Sequence, residues 1–302
     1  MNNVVFFVES NMAMRIVGNS LSEIREHFEN ELIDLYDSNE RRALYRQAAA
    51  EINGYSMLHL HFHPDDKVQE SDLIKYSSWV KRLKNHEPVQ YILGKTWFMD
   101  LEIHVNPAVL IPRPETEEIV NHLLLHLTSK KIRVLDACTG SGCIALALKH
   151  YLPEADIYGC DISADALSVA SANAQRLGLN INFQTVDLLK SPPQGKYLNL
   201  DVLISNPPYI PERERESLAK HVSEKEPSIA LFVPNSDPLL FYTALANWGK
   251  VVLNDGGFLI AECHTNFTTE VAMLWKDLGY SDVQEYKDLS DLPRFVTAVL
   301  QK

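Results

Sequence analysis

Asn206-Pro207-Pro208-Tyr209 puts an amide, two prolines and a phenol directly after the apolar run Asp201-Val202-Leu203-Ile204-Ser205. The run reads as a buried parallel strand that ends where two successive residues lack a backbone N–H. In open α/β sheets ligands bind beyond the carboxyl ends of strands, so the tetrapeptide stands where a site is expected. The Asn206 side-chain oxygen and the Pro207 carbonyl are two acceptors, held near each other by proline stiffness. Two fixed acceptors suit a planar NH2 group. Accepting both of its hydrogens leaves the nitrogen lone pair aimed at an electrophile, while Tyr209 offers an apolar face to the planar group. The competing reading is a Pro-Pro turn that ends a strand, since Asn-Pro and Pro-Pro are ordinary turn dipeptides.

A second constellation lies upstream. Asp136-Ala137-Cys138-Thr139-Gly140-Ser141-Gly142 joins a strand, Ile132 to Asp136, to a helix, Cys143 to Tyr151. The glycines let the backbone approach a ligand, and the helix start turns free N–H groups towards it. Asp161 closes the next strand, where a carboxylate accepts both hydroxyls of a ribose. Cys138, Thr139, Gly140, Ser141, Gly142 and Asp161 therefore outline a nucleoside pocket. Gly140-x-Gly142-x-x-Ala145 also fits a dinucleotide fingerprint, which leaves NAD and S-adenosylmethionine in competition. Asp136 favours the second, because a carboxylate before the loop suits the ammonium of an amino-acid-bearing cofactor and repels a pyrophosphate. Asp187 ends a third strand and either accepts from an adenine amine or caps the strand end. A sulfonium beside a planar-nitrogen clamp defines methyl transfer to nitrogen, with alignment as the main task of the protein and no general base required.

These residues need an alternating scaffold. From Lys131 onward strands and helices alternate, which predicts a parallel sheet with helices on both faces, an α/β Rossmann-like domain over 114–302. Its later elements are a helix Ser163–Leu177, a strand Ile181–Val186, a helix near Leu239–Trp248, a strand Gly257–Cys263, a helix near Phe267–Leu278 and two final extended runs. Residues 1–86 read as a small helical domain. Leu21, Ile24, Phe28, Leu32 and Leu35 recur at helical spacing after the capping box Ser20-Leu21-Ser22-Glu23, and Leu73, Ile74, Trp79, Val80 and Leu83 repeat the pattern. Between them His59, His61 and His63 alternate, but no further ligands accompany them, so a helix end before Pro64 is the expected role. Residues 87–113 predict a β-hairpin linker, with Val89–Leu93 and Leu101–Val105 as its strands. Glu115, Glu117 and Glu118 suit the first turn of a following helix, Thr116 to Leu127.

The 302 residues suit two domains, and a composition 46% hydrophobic and 23% charged is that of a soluble globular protein without a spanning segment. The formal charge of −12 argues against a broad phosphate-tracking surface, and no metal site is expected. Cys138, Cys143, Cys160 and Cys263 contain no C-x-x-C pair and read as reduced thiols of a cytoplasmic protein. Val4 to Val8 is too short, and lacks the basic flank, for a signal peptide.

Taken together, the motifs resemble the bacterial and organellar release-factor glutamine methyltransferases, a class I S-adenosylmethionine-dependent family. The resemblance is carried by Glu87-Pro88-Val89-Gln90-Tyr91-Ile92-Leu93-Gly94, by Val109-Leu110-Ile111-Pro112-Arg113-Pro114-Glu115-Thr116-Glu117, by the Asp136–Gly142 loop and by Ser205–Ile210. It implies methylation of the glutamine of a Gly-Gly-Gln loop in class 1 peptide chain release factors, with N5-methylglutamine and S-adenosylhomocysteine as products. It implies that Asn206, Pro207, Pro208 and Tyr209 hold the substrate amide, and that the cofactor lies on Cys138–Gly142, Asp161, Asp187, Leu188 and Asn206. It places Arg113–Glu117 over the methionine end, and has the helical domain and hairpin grip the release factor. A monomer without direct nucleic-acid contact is expected. The chain departs from the family pattern at Cys138, where glycine is usual, and at Val233-Pro234-Asn235, which lacks the usual glycines. The rival activities are methylation of an exocyclic amine in RNA or DNA, which shares the clamp, and methylation of a ribosomal-protein glutamine. A non-catalytic cofactor-binding module would leave the clamp without a role.

Overall fold

In the computed structural model residues 18–127, 131–190, 192 and 197–302 are described; the run Val4–Val8 lies outside them. The chain divides into two compact units, with the boundary between Leu93 and Gly94.

The first unit is helical: α1 (Leu21–Glu31), α2 (Ser38–Asn53), α3 (Met57–Phe62), α4 (Glu70–Lys84) and α5 (Val89–Leu93). The capping box forms as expected, with Ser20 Oγ accepting from the Glu23 amide and Glu23 accepting from the Ser20 amide at 3.0 Å. Leu21, Ile24, Phe28 and Leu32 bury against Tyr45 and Ala48 of α2 and Tyr76, Trp79, Val80 and Leu83 of α4. Two residues leave the predicted stripe. The helix α1 stops at Glu31, so Leu35 falls in the following turn, and Ile74 faces solvent at 59% exposure because the core takes Tyr76 instead.

Val89–Leu93 is a helical turn and not the expected strand. Pro88 starts it, its carbonyl accepting from the Tyr91 and Ile92 amides at 3.0 and 3.1 Å, and Gly94 at φ 72° stops it. Val89, Ile92 and Leu93 then pack on the helical core, which outweighs the strand preference of a short β-branched run. The hairpin consequently shifts towards the second unit as β1 (Lys95–Phe98) and β2 (Leu101–His104). Met99 and Asp100 both have positive φ, 48° and 61°, the geometry of a two-residue type I′ turn.

The remaining elements are α6 (Pro114–His126), β3 (Arg133–Ala137), α7 (Cys143–Tyr151), β4 (Asp156–Asp161), α8 (Ala164–Leu177), β5 (Asn182–Thr185), β6 (Leu200–Ser205), β7 (Ile210–Pro211), a 3-10 turn over Glu212–Ser217, α9 (Lys220–Ser223), α10 (Ser228–Leu231), β8 (Phe232–Val233), α11 (Leu240–Val252), β9 (Leu253–Glu262), α12 (Thr268–Asp277), β10 (Tyr280–Lys287) and β11 (Pro293–Leu300). Seven strands form one sheet in the order β10-β11-β9-β6-β3-β4-β5. It is parallel from β5 to β9, with β11 inserted antiparallel to both β9 and β10. Trp248 of α11 and Trp275 of α12 are buried in its core beside Leu203, Leu259 and Val296. Cutting either tryptophan back to alanine would cost roughly 3–5 kcal/mol. The hairpin belongs to this unit through Asn173 of α8, which bonds both the amide and the carbonyl of His104, and through Glu117 of α6, which accepts from the Met99 amide.

The topology fixes where chemistry can occur. The chain leaves β3 outward to β4 and β5 and returns to β6 on the other side, which opens a crevice at the carboxyl ends of β3 and β6. Ala137, Ser205 and Ala261 share one register row, so Cys138 and Asn206 leave the sheet beside Glu262, the last residue of β9, which still pairs with Phe295 of β11.

Candidate active site

A cavity opens at this crevice. Its wall includes Cys138, Thr139, Gly140 and Ser141 from the loop, Asp161 from the end of β4, and Val186, Asp187 and Leu188 after β5. Asn206 and Pro208 close it on the β6 side. The loop that crosses the crevice is wound tightly. Gly140 has φ 54° and open space at its missing Cβ, so a ligand can pass close to the backbone. Gly142, at φ 82°, does not line the cavity; a Cβ there would stand 3.1 Å from Ala170 Cβ and 3.3 Å from the Phe183 ring, so packing of α7 on its neighbours needs this glycine. Cys138 has φ 60°, a left-handed conformation that costs a side-chain-bearing residue about 1–2 kcal/mol and explains why glycine is usual at this place.

The carboxylates of the loop differ in their partners. Asp161 accepts from the amides of Gly140 and Ser163, each at 2.9 Å, and burial pushes its pKa up against those bonds. Asp136 is fully buried. Its Oδ2 accepts from Thr139 Oγ1 and, at 3.2 Å, from the Ala145 amide, while Oδ1 has no hydrogen-bond partner among the described residues. Burial raises the Asp136 pKa to about 7, with the charge of Asp161 adding to the shift. Asp136 does not line the cavity, so a cationic group above the loop would be favoured by the nearby charge of a carboxyl ready to ionise rather than by direct contact. Asp187 does act as a cap, Oδ1 accepting from the Leu189 amide at 3.0 Å, and it also faces the cavity. The nearby thiols stay protonated: burial pushes Cys143 and Cys160 up to about 12 and Cys138 well above its usual value.

The clamp residues follow β6 directly. Asn206 and Tyr209 are half-buried, and Pro207 and Pro208 are buried. Tyr209 and Pro207 do not line the cofactor-sized cavity. A neighbouring cavity is lined by Tyr209 and Ile210, and Leu110, Arg113, Asn206 and Ala230 line both. Asn206 Nδ2 donates to Thr116 Oγ1 at 3.0 Å, Thr116 Oγ1 donates to Glu262 Oε2 at 2.6 Å, and Tyr209 OH donates to Glu262 Oε1 at 2.9 Å. Glu226 anchors the segment above: its carboxylate accepts from the Ile111 amide at 3.0 Å and from the Arg113 guanidinium. Of the segment expected over the methionine end, Arg113 and Thr116 reach the cavity, whereas Glu117 turns to the hairpin. Val233 is buried and pairs β8 to β7, so the wall that lacks glycines is completed by a short parallel bridge.

Sequence reasoning did not name Glu226 or Glu262. Glu262 left a signal, a lone carboxylate closing an apolar strand beside the clamp strand; Glu226 sits in a loop with none. Elsewhere, His59 stacks between Tyr55 and His63, at 4.2 and 4.8 Å between ring centroids, and lies 3.2 Å from Asp66. Among the described residues no group of three or more such side chains is placed to hold a metal ion.

Comparison with known proteins agrees with this arrangement. The Methyltransferase small domain family matches residues 116–225 and the PrmC N-terminal domain family matches residues 23–94. A methyltransferase structure from Pyrococcus furiosus covers 75% of this chain and 100% of its own at 16% identity, with a TM-score of 0.51, which shows a shared fold. A Bacteroides thetaiotaomicron protein named release factor glutamine methyltransferase is 34% identical over 92% of this chain and 99% of its own. A Flavobacterium psychrophilum protein of the same name is 32% identical over 91% of this chain and 98% of its own. With identities of 32% and 34% over more than nine-tenths of its length, the chain belongs to the release factor glutamine methyltransferase family.

Proposed function

We propose that the protein transfers a methyl group from S-adenosylmethionine to the side-chain amide nitrogen of the glutamine in the Gly-Gly-Gln loop of class 1 release factors. The observation that carries the reading is that Asn206 lines two neighbouring cavities, one walled by the loop, Asp161 and Asp187 and the other by Tyr209.

The residues present fit the cofactor. Asp161 would take the ribose hydroxyls, Asp187 and Leu188 the adenine, and the Cys138–Gly142 turn the methionine portion, with the charge of the Asp136 carboxylate beneath the loop drawing its ammonium. When bound, S-adenosylmethionine supplies a methyl group already activated on a sulfonium. The chain's own task is then alignment. Asn206 Oδ1 and the Pro207 carbonyl would accept the two amide hydrogens of the substrate, Tyr209 and Pro208 would flank its plane, and the lone pair would then point towards the cofactor's methyl group. The positive charge that develops on the nitrogen is stabilised by the same two acceptors until a proton leaves to solvent.

The helical unit supports recognition of a protein partner. Met57, Leu58 and Phe62 of α3 are 60%, 65% and 70% exposed, and Arg25, Arg42 and Arg46 line a cleft that Met57 and Leu58 also border. Trp97 on the hairpin is 67% exposed. We assign grip on the release factor to the helical unit and the hairpin, and the chemistry to the sheet, in a monomer acting in the cytoplasm without direct nucleic-acid contact. Among the described residues no helix is long and apolar enough to cross a membrane.

Incubation with methyl-labelled S-adenosylmethionine and, in parallel, a release factor, a total ribosomal-protein fraction and RNA tests the substrate class. Label should enter the release factor and be absent when the glutamine of its Gly-Gly-Gln is replaced. Label confined to ribosomal protein or RNA would overturn the proposal.

A further inference from the structure

The clamp cannot work either way round. The Asn206 side chain has an accepting end and a donating end, and only the accepting end can take a hydrogen from the substrate amide. Turned over, it would set one NH2 against another.

What decides the orientation is two residues away from the substrate. Glu262 is 1% exposed and Thr116 is 2% exposed, so water does not compete for their hydrogen bonds. Burial raises the Glu262 pKa, while the hydrogen bonds from Thr116 and Tyr209 and the positive charge of Arg294 pull it back down; with a donor on each carboxylate oxygen Glu262 acts as an acceptor only, so the Thr116 hydrogen points to it at 2.6 Å. Thr116 is then left with lone pairs alone, and the Asn206 end that faces it at 3.0 Å must be the NH2. The same carboxylate takes the Tyr209 hydroxyl on its other oxygen, at 2.9 Å, and its backbone carbonyl accepts from Tyr242 OH at 3.2 Å. The nearest guanidinium, Arg294, is ion-paired with Asp288 at 3.0 Å, and no ion pair to Glu262 occurs among the described residues. A neutral acceptor would tie α6, β6 and β9 together at a lower desolvation cost, but an amide could turn round, and a carboxylate cannot.

We propose that Glu262, acting through Thr116, is a positioning residue that fixes the polarity of the Asn206 amide, and that it orients Tyr209 from the same carboxylate. The two faces of the clamp are thus set by one buried charge. The proposal rests on the glutamine-methylation reading above.

Two substitutions of Thr116 separate polarity from packing. Thr116→Val keeps the shape and removes the hydroxyl; Thr116→Ser keeps the hydroxyl and removes a methyl group. With the release factor and cofactor both saturating, kcat of Thr116→Val should fall about tenfold, the value of one hydrogen bond of ordinary strength felt in the transition state. Thr116→Ser should recover most of the rate. Thr116 borders the cavity, so the dissociation constant for S-adenosylhomocysteine, read by calorimetry, is free to move in both variants, but the valine and serine variants should move it alike, whereas only the valine variant should lose kcat. Glu262→Gln, of equal volume but no longer an obligate acceptor, provides a second variant, and its kcat should lie between the two.

Wild-type kcat in Thr116→Val or in Glu262→Gln would overturn the proposal. So would equal losses in the valine and serine variants, or a loss confined to cofactor binding, since these mark a packing role. The wild-type arm keeps the two readings apart: if it fails to methylate glutamine, the functional reading falls and this proposal with it, whereas wild-type turnover with an unaffected Thr116→Val defeats the positioning role alone.

Discussion

The two sides of the crevice are built differently. The cofactor side is local in sequence: Asp136 to Gly142 make a turn from backbone torsions, a helix start and short-range bonds such as Thr139 to Asp136. The clamp side is assembled from afar. Asn206 is oriented by Thr116, 90 residues earlier, and Thr116 by Glu262, 146 residues later. Binding a common cofactor needs a shape that a short segment can encode alone. Orienting a nucleophile to a fraction of an ångström needs side chains from several rigid elements at once.

That contrast predicts where substitutions act. Asn206→Ala should be the largest, a fall of about a thousandfold in kcat with a far smaller loss of affinity for S-adenosylhomocysteine, because Asn206 is one of many residues on the cavity wall but the main source of alignment. Equal losses in rate and affinity would erase the distinction between the two sides. Glu226→Ala should act on the scaffold: it leaves Arg113 without its buried partner and the Ile111 amide unsatisfied, at a cost of about 3 kcal/mol measurable by urea unfolding. Unchanged stability would mean that the segment over the crevice is held by its prolines alone.

On the cofactor side the expected effects are smaller and linked to pH. Without cofactor Asp136 titrates at about 7, since burial disfavours its charge. A cofactor ammonium favours the ionised form, so binding near neutrality should release a proton. Affinity should therefore weaken as pH falls through about 7, towards tenfold per pH unit. Calorimetry with S-adenosylhomocysteine across that range checks it, and Asp136→Asn should flatten the profile. A flat wild-type profile would remove Asp136 from the cofactor site. The smallest effect belongs to Cys138→Gly. Relief of the left-handed torsion is offset by the greater freedom of glycine in the unfolded chain, so the net gain should be under about 1 kcal/mol, a Tm rise of a few degrees at most. A lower Tm would show that the Cys138 side chain contributes more through packing than its torsion costs.

The same contrast explains what the sequence revealed. The loop, Asp161 and the tetrapeptide were legible because each is a short run whose chemistry follows from its own residues. The alternation of strands and helices puts all three at the carboxyl edge of one sheet. The turn over Val89–Leu93 reads as a strand because a five-residue run with Val89, Tyr91, Ile92 and Leu93 around Gln90 carries no period that separates the two, and packing on the helical core decides the matter. Glu262 and Glu226 were missed because their roles exist only in the register of β6 with β9 and in a loop folded over Arg113. Thr116 was visible as part of a helix start and of the Arg113–Glu117 segment that the resemblance sets over the methionine end, but not as a partner of Asn206.

The most direct test of the central claim is a fragmentation mass spectrum of an intact release factor after reaction with the protein and S-adenosylmethionine. The account predicts a gain of about 14 Da on the side chain of the Gly-Gly-Gln glutamine, produced by the wild-type protein and absent with Asn206→Ala, because transfer requires that alignment. A methyl group on another residue, or the same product formed at the same rate by Asn206→Ala, would contradict it.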